Sequence, residues 1–530
     1  MASQRTLYTD PDHCSLSPQP PSPDSDESRT LLAHAVYPST DSRDTLAGIT
    51  PLPIAQLACL CICRITDPIM FTQILPYVNQ MMTDLHVTDD PSRIGFYSGL
   101  VESSFAVAQV LSIYHWARLS DVIGRRPVIL LAILGMALGS LFFGLSGTLT
   151  SVMLSRSVSG FFSGNVAVLH SLLGELTDAS NQAIAFPIYG LTWPLGAIIG
   201  PLIGGTFSNP ADRFPWLFAA EFWRTYPYFL PGFIASVVAF VGFGFGYFFL
   251  EETLPSKRRN KSKRALSSED LSAWDDDKQD GDGGSKPPTM RELLAVPAIR
   301  ALCLSGSAQS FTSTAFDVLF VLMCYSPIET GGLALSASEI GAALAMAGII
   351  SVLLQMFVIP VLLARCDLVR LYRTTLGLWT YCFALLPLIG LFARTALAST
   401  ETDAPLNLAM ATSAVRAGVW VAIAVLLALS KLACLPYAIS MILVKMHAPG
   451  AKALGVSNGL VQFSMSFTRA FSPAFASSIF ALSLDCNLLG GYFWALVMMF
   501  IGVLGTRVCN SLEGGQSISG AEAAAAMVAE

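Results

Sequence analysis

Twelve apolar stretches, each near the length that crosses a bilayer, constrain this chain more than any single motif. A hydrocarbon core takes about 20 apolar residues per helix. Such runs fall near 54–79, 93–115, 127–146, 149–175, 182–207 and 228–250, and again near 298–324, 336–363, 371–393, 417–444, 454–482 and 488–509. Of 530 residues, 53% are apolar and only 13% are charged, which suits a polytopic membrane protein and not a soluble enzyme. Lipid offers no hydrogen bonds, so each run must satisfy its own backbone as a helix. The expected fold is all-α, with twelve transmembrane helices in two six-helix bundles.

The segments between and around the runs set the domain plan. Residues 1–53 are rich in Pro, Ser, Thr and Asp without an apolar run, and read as a disordered cytoplasmic tail and not a signal peptide. The two sets of six, 54–250 and 298–509, are joined by 251–297, which passes from the basic block Lys257–Arg264 into the acidic block Asp275–Asp282. That segment reads as a mobile cytoplasmic linker, and 510–530 as a cytoplasmic tail. Lys and Arg crowd the even-numbered connections: Arg118, Arg125 and Arg126; Lys257 to Arg264; Arg365, Arg370 and Arg373; Lys445 and Lys452. By the positive-inside bias both termini should be cytoplasmic. The net charge of −6 resides mostly in tails and linker and says little. The 11 cysteines show no disulfide or zinc spacing. Neither a metal nor another cofactor is expected.

Between the second and third runs lies His115–Pro127, HWARLSDVIGRRP. Its ionised groups place it at a membrane surface, and Pro127 suits the first turn of the next helix, where a missing N–H costs nothing. The spacing resembles the loop motif of the major facilitator superfamily, G-x-x-x-D-x-x-G-R-[KR]. Asp121, Gly124, Arg125 and Arg126 fit, while Ala117 stands for the leading Gly. Leu363–Arg373, LARCDLVRLYR, occupies the corresponding place in the second half, with Asp367 aligned to Asp121. The resemblance implies the major facilitator fold, with two repeated bundles and a site at their interface. It also implies that Asp121 braces the outward-open form against an Arg neighbour and the start of the eleventh span, near Lys452–Gly455.

Two further motifs support that resemblance. Ser155–Gly164 places Arg156 inside the fourth run, four residues before Gly160, as family members often do. A buried Arg is costly unless paired or solvated, although snorkelling to the surface is open to a residue about 10 Å deep. The fifth run holds Gly196, Gly200, Pro201, Gly204 and Gly205, small residues at helical spacing that allow close packing, with Pro201 expected to weaken the helix. This run resembles the G-x-x-x-G-P-x-x-G-G signature associated with proton-coupled drug exporters, although Pro187 replaces its upstream Gly. Thr66–Pro76 and the EETLP of Glu251–Pro255 resemble fungal members akin to plant zinc-induced facilitators.

Polar stripes within the runs mark the expected cavity. Ser98, Glu102, Gln109 and Ser112 share one face of the second run; Asn458, Gln462, Arg469 and Ser472 repeat those intervals in the eleventh; Ser310, Ser313, Thr314 and Asp317 share a face of the seventh. Arg64 and Asp67, three apart, can neutralise one another. Arg64 and Glu102 each lie about 15 Å from a surface, near the midplane. Glu102 has no basic neighbour on its own stripe, so Asp67, Glu102 and Arg64, with Asp317 in reserve, are the candidates for proton coupling. Gln109, Lys431, Gln462 and Arg469 are the candidates for substrate contact. His170 reads as structural and Glu175 as an anchor of the inner gate.

The leading expectation is a monomeric secondary transporter of the plasma or vacuolar membrane. Its partners would be a small organic solute, protons and the lipid bilayer, with no nucleic acid. It would export or sequester the solute by proton antiport. A symporter, a uniporter or a nontransporting sensor on the same fold remains open. A membrane-embedded enzyme does not fit: the six histidines are scattered, and no P-loop is present.

Overall fold

A computed structural model of the chain describes residues 51–178, 181–254, 290–398, 413–447 and 451–509. The expected tails and linker lie almost wholly outside these residues. Among the described residues, ten helices have the length and apolarity to cross a membrane. They are α1 (Ile54–Thr72), α2 (Pro91–Ile123), α3 (Arg125–Gly144), α4 (Leu149–Leu176), α5 (Ile184–Phe207), α6 (Phe229–Phe249), α7 (Pro297–Tyr325), α8 (Ala337–Leu363), α9 (Leu368–Ala396) and α10 (Ala414–His447). Two more complete the set of twelve: α11 (Ala451–Asp485) and the shorter apolar α12 (Phe493–Cys509).

Local chemistry fixes several boundaries. Thr148 and Ser336 each form a reciprocal capping box, with Ser151 and Glu339 respectively, that satisfies orphan donors at the starts of α4 and α8. Gly124 turns the chain between α2 and α3 at φ 114°, a backbone state that side chains with a Cβ rarely adopt. Asp367 caps α9 through the Arg370 amide at 2.9 Å. Asp121 instead lies inside the last turn of α2, so the two aspartates aligned by sequence hold different structural positions.

The halves repeat in another way. The fourth helix of each is interrupted, α4 at Gly164–Asn165 and α10 at Cys434–Leu435. The second helix of each half meets the fifth of the other, α2 against α11 and α8 against α5. Each half has its own apolar core, one around Trp379, Phe383 and Phe316, the other around Leu60, Ile133 and Leu172.

Helix α5 is the seam. Its Gly196 and Gly200 lie on Pro68, Ile69 and Thr72 of α1, and Gly204 lies on Gln73 just beyond it. Gly205 lies on Ala337 and Gly341 of α8, and Gly341 in turn lies on the Pro201 carbonyl. Pro201, expected to weaken the helix, does not break it: the helix runs from Thr192 to Phe207 with the proline inside. The interruption falls at Leu191, where the amide is shared between the Pro187 and Ile188 carbonyls at 3.1 and 3.3 Å.

Candidate functional site

Among the described residues, the charged side chains on the inner parts of the helices that bear on the site are Arg64, Asp67, Glu102, Arg156, Asp317, Lys431 and Arg469. In the first half they fall into two groups. On α1, Arg64 and Asp67 form the i,i+3 ion pair, with both side chains under 10% exposed. Arg64 also lies over the Trp193 ring of α5, 5.7 Å from its centroid. The second Asp67 oxygen accepts from Ser163 at 2.6 Å, and the Ser163 hydroxyl accepts from Gln109 at 2.8 Å. Both carboxylate oxygens of Asp67 are therefore engaged, in a chain crossing α1, α4 and α2. His170 packs edge-on to Tyr189, at a centroid distance of 5.6 Å.

The second group adds what the stripes do not show. Glu102, without a basic neighbour on its own stripe, has a partner on another helix: Arg156 of α4 donates to its Oε2 at 3.0 Å. Arg156 does not snorkel, for its side chain is 1% exposed. It is held over Phe105 and Phe71, at 4.6 and 5.6 Å from the ring centroids. The pair is 54 residues apart in sequence, so no stripe on one helix could reveal it. Glu102 Oε1 and Arg156 Nε are buried without a partner among the described residues.

In the second half, Asp317 of α7 and Lys431 of α10 influence one another electrostatically without an ion pair. Arg469 acts on the phenol of Tyr437, whose hydroxyl lies 2.8 Å from that of Ser313. Gln462, on the Arg469 face of α11, is exposed.

The loop motif forms one connected cluster. Arg125 binds Asp121 at 2.7 Å and Glu175 at 3.0 Å, and Glu175 also accepts from Thr253. Glu252 accepts the Arg125 and Arg126 amides at 2.9 and 3.2 Å, capping the start of α3. A Cβ on Gly124 would lie 2.4 Å from that carboxylate. Arg126 lies over the Tyr247 ring at 5.7 Å. The EETLP stretch was visible in sequence; its service as a helix cap was not. Asp121 is 63% exposed with Arg125 as its partner, and the side chains of Lys452–Gly455 lie outside the described residues.

Hydrogen bonds and ion pairs between the halves, among the described residues, gather toward the end opposite this motif. Thr83 and Tyr325 hydroxyls lie 2.8 Å apart, Ser92 binds Asp485, Arg93 lies 3.6 Å from Asp485, and the Ala474 amide donates to Ser103 at 3.0 Å. Gly99 packs on Pro473 and Ser477, and Gly95 on Leu322. At this seal lies a cavity of about 840 Å³ whose lining includes Thr83, Tyr325, Glu339 and Arg416. Asp90, outside that lining, is held below the usual carboxylate range by the Ser92 hydroxyl and amide.

Comparison with known proteins agrees with this architecture. The family model described as Major Facilitator Superfamily matches residues 60–400. The Major facilitator-type transporter psiT2 of Psilocybe cyanescens is 39% identical over 91% of this chain and 95% of that protein. The Major facilitator superfamily multidrug transporter mfsB of Aspergillus fumigatus is 29% identical over 82% and 79%. Protein ZINC INDUCED FACILITATOR-LIKE 1 of Arabidopsis thaliana is 24% identical over 81% and 85%. Among solved structures, that of a D-xylose-proton symporter superposes with a TM-score of 0.62 at 10% identity, covering 87% of this chain and 97% of that one.

Proposed function

The chain belongs to the Major Facilitator Superfamily, and on that premise we propose that it exports or sequesters a small organic solute in exchange for protons, by alternating access. The observation that carries the proton coupling is the Glu102–Arg156 pair. One Glu102 oxygen is engaged, and the other is buried without a partner among the described residues. A proton arriving at Oε1 neutralises the carboxylate and loosens the ion pair. Arg156 then keeps the faces of Phe105 and Phe71 as its remaining stabilisation. Asp67, with both oxygens bonded, is the less available acceptor. Export is the direction favoured by the relative named Efflux pump azaK, of Aspergillus niger, 27% identical over 85% of this chain and 86% of that protein.

The orientation in this reading puts the Arg125 cluster and both termini in the cytoplasm. The arrangement described is then sealed to the outside and open to the cytoplasm. Cysteines placed within 256–288 should resist an impermeant reagent applied to intact cells, and label once the cells are opened. Efficient labelling of intact cells would invert the topology.

The test of coupling is Glu102→Gln, which keeps shape and hydrogen bonding but cannot ionise. A transported solute is first identified by screening a deletion strain against drugs, metals and organic acids. In inside-out vesicles with an imposed pH gradient, accumulation of that solute should fall at least about tenfold, the loss expected when a coupled proton no longer contributes its share of the driving force. Binding should persist. A variant that still concentrates solute against its gradient would transfer the role to Asp67 or Asp317.

A further inference from the structure

The charges within the spans do not balance, and the imbalance falls on one residue. Arg64, Arg156, Lys431 and Arg469 are cations; Asp67, Glu102 and Asp317 are carboxylates. Arg64 is matched by Asp67 and Arg156 by Glu102. Lys431 has Asp317 as the carboxylate that acts on it electrostatically. Arg469 is the cation left over, and it has no hydrogen bond or ion pair among the described residues.

Its position gives that surplus charge meaning. In Ala451–Asp485, Arg469 lies 18 residues from one end and 16 from the other (469 − 451 and 485 − 469), or roughly 24–27 Å from each. The helix is longer than the hydrocarbon core of about 30 Å, so a residue at its middle lies about 15 Å from either face, beyond the reach of snorkelling. A guanidinium near the centre of a span, costly without a counter-charge, marks a substrate path. The surroundings are polar: the Tyr437 hydroxyl lies 2.8 Å from that of Ser313, and the Arg469 charge acts on that phenol. The groups come from α11, α10 and α7. One end of the stripe is open, since Gln462, seven residues away on the same face, is exposed. The other end is closed, where Ala474 binds Ser103 and Gly99 packs on Pro473.

We propose that Arg469 anchors an anionic group of the transported solute, a carboxylate, phosphate or sulfonate, received beside Tyr437 and Ser313 at the closed end of this stripe. The assignment rests on the transport reading above and deepens it. Guanidinium pairs with these oxyanions through two parallel N–H donors, which supplies geometry as well as charge.

The test is binding, so that its failure is separable from failure of the coupling proposal. The full chain in nanodiscs is titrated with benzoate, phenyl phosphate and benzenesulfonate, and with benzylamine and benzyl alcohol as cationic and neutral controls. At least one anion should raise the melting temperature saturably, while the controls should not. Arg469→Gln should weaken that anion about tenfold or more, as loss of a charged hydrogen bond implies. Arg469→Lys should retain part of the affinity. If Arg469→Gln does not yield folded protein, protection of wild-type Arg469 from phenylglyoxal by the same anions, read by peptide mass mapping, decides the question in its place. No stabilisation by any of the anions, equal affinity in Arg469→Gln, or preference for benzylamine overturns the proposal. Anion binding that depends on Arg469, alongside a Glu102→Gln variant that still runs uphill, would sink the coupling scheme and keep this site.

Discussion

Replacing Gly204 by alanine is expected to lower the recovery and the melting temperature of the folded protein, although the change adds a single methyl group. An ideal Cβ there would lie 1.8 Å from the Gln73 carbonyl oxygen, a backbone atom that no rotamer change can move. Helices α1 and α5 would have to part. Overpacking of this kind costs about 1–3 kcal/mol and occasionally more, and a backbone collision belongs at the upper end. Against a total stability of about 5–15 kcal/mol, that is enough to lower yield and melting temperature visibly. Gly244→Ala is the control, because nothing lies within 4 Å of its Cβ position and alanine is the better helix former by about 1 kcal/mol. The two variants are compared by size-exclusion recovery and thermal midpoint in the same detergent. An unshifted midpoint for Gly204→Ala would mean that α1 and α5 do not pack this closely.

The same seam shows which parts of the molecule could be read from sequence. Small residues at Gly196, Gly200 and Gly204 announce close packing because a helix repeats every 3.6 residues. The twelve spans were legible for a similar reason, since bilayer thickness sets the length of an apolar run. Partner identity was not legible. Gly205 turns from α1 to α8, and only the fold tells which helix faces it. The site divides along the same line. Arg64 and Asp67 are near in sequence, so their ion pair follows from helix geometry. Glu102 and Arg156 sit on different helices, and their pairing depends on how α2 and α4 are rotated about their axes. Hydropathy does not encode that rotation. Glu252 illustrates a third case: its cap on α3 is a backbone contact from 127 residues away, which leaves no trace in side-chain spacing.

Replacing Asp121 by asparagine is expected to cut transport by roughly 5- to 30-fold while leaving insertion and folding near normal. Asp121 sits in the last turn of α2, where the helix macrodipole is negative and a carboxylate is disfavoured. Removing its charge therefore costs the helix nothing. In the arrangement described, its attachment is one contact, to Arg125, on a side chain that is 63% exposed. Arg125 would keep Glu175 and Ser120, so the cluster should survive the substitution. The loss should appear instead when the motif ends of the two halves come together. There the carboxylate would meet the start of α11, and an anion at a helix N-terminus is worth up to about 2 kcal/mol when partly buried. A shift of one or two kcal/mol changes a two-state ratio about 5- to 30-fold, which sets the expected loss of flux. Asparagine can donate and accept but carries no charge, so the form described should become more populated. A reporter cysteine at Gly459, which has open space around it, would read this after the exposed Cys366 and Cys486 are replaced by serine. Its labelling should speed up in Asp121→Asn. Unchanged flux together with unchanged labelling would reduce the motif to a marker of orientation.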